Sequence, residues 1–190
     1  MRKILFINAC FRPESRTRIL ADRILEKLDG EVTVLNLDEE QILPLTLKTM
    51  RERDALKEAD DYHNELFRYA WQFAEADEIV LAAPYYDMSF PASVKAYIEA
   101  ISVRKITYTY TDQGIPSGLC RANRLIYVTT AGGPLFGSNL GFDYIKAVAG
   151  TYYGIRDFLY FQAENLDVED ADVDKILRSA LNEIENCDQL

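Results

Sequence analysis

Residues 78–98 read EIVLAAPYYDMSFPASVKAYI. Glu78–Ala83 is a short apolar run, fit for a strand covered on both faces. Pro84 closes it, and Tyr85, Tyr86, Asp87 and Met88 follow. A Phe-Pro-Ala step then opens a helix over 91–102 that carries Lys95 and Tyr97. The order places a short aromatic loop at the carboxyl end of a buried strand, directly before a helix amino terminus. In an open α/β sheet, flat ligands bind there.

The flanking sequence repeats this strand-then-helix grammar. Lys3–Asn8 is a first apolar strand, followed by a helix from Ser15 to Leu28 with Ile19, Leu20, Ile24 and Leu28 at helical spacing. Asp29-Gly30 ends that helix. Glu31–Leu37 is the second strand, and 38–50 a connection containing Pro44. Residues 51–76 read as one long helix, charged at first and then apolar. After the opening segment, 105–114 alternate β-formers and end in turn residues, which predicts an extended excursion or hairpin. Arg124–Thr130 is the fourth strand, Asn139–Gly150 a helix, Phe158–Gln162 the fifth strand and Asp170–Glu185 a final amphipathic helix. Five strands interleaved with helices imply a parallel sheet with helices on both faces. Right-handed crossovers then favour the strand order 2-1-3-4-5.

The bulk numbers agree with one folded unit. A chain of 190 residues is expected to form one domain, residues 1–190, with a substantial core. At 48% hydrophobic and 27% charged, the composition is that of a soluble globular protein. No run of about 18 apolar residues suggests a membrane span. The amino-terminal apolar run is cut by Asn8 and Arg12 and reads as a strand rather than a leader, so the expected location is the cytoplasm. A net charge of −10 argues against nucleic acid as a partner. Cys10, Cys120 and Cys187 are odd in number and widely spaced, which suggests reduced thiols rather than a disulfide framework. His63 is the only histidine, which excludes a multi-histidine metal site; it reads as a surface residue.

In the order 2-1-3-4-5, the loops after the first, third and fourth strands meet. The first runs Ala9-Cys10-Phe11-Arg12-Pro13-Glu14-Ser15-Arg16-Thr17. Ser15 suits a helix cap, so a phosphate placed there meets free N–H groups, the positive helix end, two hydroxyls and an arginine. Plain capping with solvated arginines explains the same residues. There is neither a G-x-x-x-x-G-K-[ST] loop nor a G-x-G-x-x-G fingerprint. The second loop, Pro84–Met88, offers flat tyrosines and backbone N–H groups, although aromatic residues at a strand end also serve as core. The third is Thr129-Thr130-Ala131-Gly132-Gly133-Pro134, whose paired glycines permit close backbone approach but are weak evidence alone.

Together these segments resemble the flavodoxin-like NAD(P)H:quinone oxidoreductases and FMN-dependent azoreductases. Pro84, Tyr86, Pro91, Ala92, Lys95 and Tyr97 match the P-x-Y-N-F…P-A-x-L-K-x-Y segment of that family. Asp87 stands for the usual Asn and Met88 for the usual Phe. Ser15 and Thr17 match the closely spaced hydroxyls of its phosphate loop, while Ala9 or Cys10 replaces an upstream Ser. Thr130, Ala131, Gly132 and Gly133 fit its S-x-G-G segment. In 108–119, Tyr110, Thr111, Gly114, Gly118 and Leu119 match F-x-Y-T-x-x-G-P-x-G-L.

The resemblance implies a flavodoxin-like three-layer α/β sandwich and FMN as cofactor. Ser15, Arg16, Thr17, Pro84, Tyr85, Tyr86, Asp87, Met88, Thr130, Ala131, Gly132 and Gly133 are the cofactor-binding candidates. Hydride passes from NADH or NADPH through the flavin to a quinone or azo compound, with no catalytic side chain required and no metal. Tyr86 and Tyr110 are the substrate-stacking candidates. Asp87 either faces the ring, contributes only its backbone, or caps the helix beginning near Phe90. Arg104, Arg121 and Arg124 leave NADH and NADPH undistinguished. Family members are typically homodimers, and Tyr108–Tyr110 with Tyr152–Tyr153 are candidates for that surface or for core packing. The alternatives are a flavodoxin-type electron carrier, which suits the acidic charge, and a flavin-free family member that acts by binding a partner. The excursion over 103–119 favours the oxidoreductase.

Overall fold

Alternation along the central strands fixes the layers. The computed structural model describes residues 1–190. Strands β1 (Lys3–Asn8), β2 (Glu31–Asn36), β3 (Glu78–Ala82), β6 (Arg124–Thr130) and β7 (Asp157–Ala163) form one parallel sheet, ordered β2-β1-β3-β6-β7. With the two short strands between β3 and β6 set aside, this is the expected 2-1-3-4-5. Ile4, Phe6, Val80, Ala82, Ile126 and Val128 point to one side, against α1 (Arg16–Lys27) and α6 (Val173–Glu185). Leu5, Ile7, Ile79, Leu81, Leu125 and Tyr127 point to the other, into a core shared with Phe73, Val94, Tyr97 and Ile145. These last come from α3 (Arg68–Glu75), α4 (Ala92–Ile101) and α5 (Leu140–Val148). Burial on both faces is why the strands read as continuous apolar runs.

At the amino edge of the sheet, Glu78 is fully buried between two cations. Its carboxylate accepts from Arg124 Nε at 2.6 Å and pairs with Arg2 Nη2 at 2.6 Å. A buried carboxylate requires such pairing.

Three segments depart from the sequence reading. The long helix expected over 51–76 is two helices, α2 (Leu47–Glu58) and α3, separated by a turn and a short 3-10 segment, Glu65–Phe67. Asp60 takes a left-handed φ of 55°, and Asn64 caps the 3-10 turn by accepting from Leu66 N. Short polar side chains that bond their own backbone favour such breaks. The helix expected over 139–150 starts at Leu140, under an Asn139 cap. Past Val148 it widens into a π-helical turn, Ala149–Tyr153, that stops at Gly154 with φ 81°. The last helix begins at Val173 rather than Asp170, because Asp172 is its cap and accepts from Lys175 N. The excursion over 105–114 is part of an antiparallel hairpin, β4 (Tyr108–Tyr110) on β5 (Pro116–Gly118). No helix is long and apolar enough to cross a membrane.

Candidate functional site

A cavity of about 430 Å³ opens at the carboxyl edge of the sheet. Four strand ends contribute to it. After β1 come Phe11, Arg12, Glu14, Ser15, Arg16 and Thr17; after β3, Pro84, Tyr85 and Tyr86; from the end of β6 onward, Thr130, Ala131 and Gly132; after β7, Leu166 and Asp167. The first three groups are the loops the topology was expected to bring together. The sequence reading missed the fourth. Its signal was available: the fifth strand ends at the same edge as the others.

The first wall is a helix amino terminus. Ser15 is buried and caps α1, its Oγ accepting from Arg18 N at 3.3 Å. The N–H groups of Arg16 and Thr17 have no acceptor within the chain, as expected for the first turn of a helix. Thr17 Oγ1 lies 2.6 Å from Thr130 Oγ1. In such a pair one hydroxyl donates to the other, which leaves a single free proton for a ligand. Cys10, buried behind this loop, has its thiol pushed up to about 11 by burial, partly offset by a hydrogen bond from Ser15. It stays neutral at physiological pH and places no anion behind the loop.

The second wall is shaped by a tight turn. Tyr86 and Ser89 exchange backbone hydrogen bonds at 2.9 and 2.8 Å, and Asp87 and Met88 between them have φ of 50° and 67°. Two successive left-handed residues are the geometry of a type I′ turn. The Asp87 and Met88 amides have no acceptor within the chain. Asp87 does not cap the following helix, since Pro91 occupies that position and no side chain caps it. Asp87 and Met88 are both exposed and lie outside the cavity lining.

The third and fourth walls are stitched together. Leu166 N donates to Ala131 O at 3.2 Å, Asp167 N to Gly132 O at 2.8 Å, and Asn165 N to Gly133 O at 3.1 Å. The Gly132 and Gly133 amides have no acceptor within the chain. A Cβ on Gly132 would sit 2.4 Å from Asp167 Oδ2, whereas one on Gly133 would meet open space. Arg16 Nη1 reaches across to Asp167 Oδ1 at 2.7 Å and to Leu166 O at 3.2 Å, and so links the first wall to the fourth.

Other candidates fall elsewhere. Tyr110 lines a second cavity of about 380 Å³ on the α4 side of the sheet, between α2, α4, α5 and the hairpin. Tyr108 and Tyr152 line it too, in edge-to-face contact with each other. Tyr153 instead belongs to the core, with its hydroxyl 2.7 Å from Ser102 Oγ. Arg121 and Arg124 pair with Asp77 and Glu78 at the amino edge, away from the cavity. Arg104 lies over the Tyr110 ring, 6.0 Å from its centroid. His63 is exposed and stacks on Trp71. No cluster of histidine, cysteine or carboxylate side chains is arranged to hold a metal.

Comparison with known proteins gives one consistent picture. The family described as having a flavodoxin-like fold matches residues 2–187. An FMN-dependent NADH:quinone oxidoreductase 2 of Clostridium acetobutylicum is 37% identical over 193 residues, covering 95% of each chain. An FMN-dependent NADH:quinone oxidoreductase of Clostridium beijerinckii is 35% identical and covers 96% of each. Among solved structures, an FMN-dependent NADH-azoreductase from Bacillus anthracis in complex with FMN superposes with a TM-score of 0.80 at 21% identity. The match covers 97% of this chain and 96% of that one, and it supports the shared fold. The sheet order, the four-walled cavity at its carboxyl edge and near-full-length likeness place this chain in the flavodoxin-like family that includes the FMN-dependent NADH:quinone oxidoreductases.

Proposed function

We propose that this chain is an FMN-dependent oxidoreductase that transfers hydride from NADH or NADPH to quinones or azo compounds, and that it works as a cytoplasmic homodimer. The observation that carries the reading is the donor set of the cavity. Six backbone N–H groups lack acceptors within the chain: those of Arg16, Thr17 and Gly132 belong to residues that line the pocket, and those of Asp87, Met88 and Gly133 to the same loops just outside its lining. The residues fit FMN chemically. A helix start with Ser15, Arg16 and Thr17 suits a phosphate dianion. Amides on two further loops suit the polar edge of a flavin. The relatives named above carry FMN dependence in their names and support the same assignment.

Bound FMN supplies two-electron redox chemistry; the chain supplies binding, orientation and electrostatics. Arg16, Thr17 and the α1 amino terminus would hold the phosphate, with Ser15 fixing the helix start. Pro84, Tyr85 and Tyr86, with the backbone of Asp87 and Met88, would contact the ring from the loop after β3. Thr130, Ala131, Gly132 and Gly133 would contact it from the loop after β6, where the two glycine amides would stabilise negative charge on the ring. Tyr86, 38% exposed at the rim, is placed to stack an aromatic acceptor. Tyr110, Tyr108 and Tyr152 form an aromatic surface suited to a second copy of the chain. Tyr110 reaches an acceptor in this reading only across that dimer.

The test is direct. FMN is added to the purified protein and its visible absorbance followed through anaerobic NADH and then a quinone. Bleaching by NADH and recovery with quinone is the expected result. Flavin uptake without turnover favours an electron carrier, and no uptake rejects the cofactor assignment in favour of partner binding.

A further inference from the structure

The cavity that is to receive a dianionic phosphate carries its own anion. Arg16 and Asp167 face each other across it at 2.7 Å, and Arg12 and Glu14 are the other charged side chains in its lining. Two cations and two carboxylates cancel. The backbone of Asp167 is anchored beside the cavity, its N–H donating to Gly132 O at 2.8 Å, and its carboxylate lies close over Gly132. Only a glycine permits this, since a Cβ at 132 would meet Asp167 Oδ2 at 2.4 Å. The guanidinium of Arg16 is held by Asp167 Oδ1 and Leu166 O.

We infer that Asp167 competes with the flavin's phosphate for Arg16, so that cofactor loading requires exchange of one anionic partner for another. The inference rests on the FMN reading above. It makes Asp167 a residue that weakens cofactor affinity, and it makes the effect specific to the phosphate. The Arg16–Asp167 pair is partly exposed, with side chains 37% and 69% accessible. Such pairs are weak and screened by salt, so the exchange costs little and is reversible.

Fluorescence titration with FMN and with riboflavin, which lacks the phosphate, tests this on wild type, Asp167→Asn, Arg16→Gln and the double variant at low ionic strength. Competition predicts that Asp167→Asn tightens FMN about two- to fivefold, as expected for an exposed ion pair, and leaves riboflavin unchanged. The gain shrinks in added salt and largely disappears in the Arg16→Gln background. Unchanged or weaker FMN binding by folded Asp167→Asn overturns the inference, because Asp167 would then be indifferent or would position Arg16. An equal gain for riboflavin overturns it as well. Failure of wild type to bind either flavin rejects the cofactor reading itself, and the inference with it.

Discussion

The molecule holds two cavities of similar size built in opposite ways. The one at the sheet edge, about 430 Å³, is walled by four strand-end loops and rich in backbone donors without partners. The one of about 380 Å³ on the α4 face is walled by helix and hairpin side chains, and its charged groups find hydrogen-bond partners within the chain. There Lys95 pairs with Glu99, Lys57 with Asp54 at 2.5 Å, and buried Arg53 donates to the carbonyls of Glu99 and Ser102 at 2.9 and 3.1 Å. Loop amides left open suit a small anionic ligand; satisfied charges under an aromatic lid suit contact with another protein surface. Size alone would not have separated them.

If the two regions are independent, each can be damaged without the other. Gly118→Ala is expected to have the largest effect. Its Cβ would meet the backbone of Tyr153 and Gly154 at 2.2 Å, which should cost about 3 kcal/mol or more of stability. Urea unfolding reads that loss. FMN affinity of the folded fraction should stay within about twofold, and a collapse of affinity would show the regions to be coupled.

Next comes the buried wall of the sheet-edge site. Burial raises the Cys10 thiol from an ordinary 9.0 to about 11, so the unfolded chain gives up that proton first as pH rises. Stability should therefore be intact below pH 9 and fall between pH 9 and 11, by a few kcal/mol at the limit. Comparing denaturation of wild type and Cys10→Ala across that window isolates the contribution; parallel curves would mean that the wall admits water.

A smaller change is expected at Arg16. Arg16→Ala should weaken FMN about tenfold, or roughly 1.4 kcal/mol, and riboflavin little. Equal losses for both flavins would place Arg16 on the ring rather than the phosphate. Asp87→Asn should do least. Its side chain is exposed outside the cavity lining, so the flavin midpoint should move by well under the ~30 mV that accompanies a tenfold change in relative binding of two redox states. Spectroelectrochemistry decides this, and a larger rise would mean the carboxylate reaches the ring.

The sheet was legible because its strands carry their own signal. Arg124–Thr130 was read with both boundaries right, and the order followed from interleaving together with right-handed crossovers. Three walls of the site were legible for the same reason, since each begins where an apolar run stops. The place of the fourth followed from the topology, but its residues did not stand out. Asp167 lies in the polar run Glu164–Asp172, which reads as surface, and its partner Arg16 is 151 residues away. Only the folded sheet juxtaposes them. The break at Asp60 escaped for a local reason: charged helical surface and a polar turn have much the same composition, and a left-handed φ leaves no mark on hydrophobic periodicity. Tyr110 was grouped with Tyr86 by motif, and the hairpin carries it into the other cavity.

The buried Glu78 has a consequence for anyone handling the protein. One of its two counter-charges is Arg2, the second residue of the chain. Tags added ahead of Met1 leave that contact available. Trimming the terminus to Lys3 would strip a fully enclosed carboxylate of half its neutralisation, so the amino terminus is a poor place to shorten this protein.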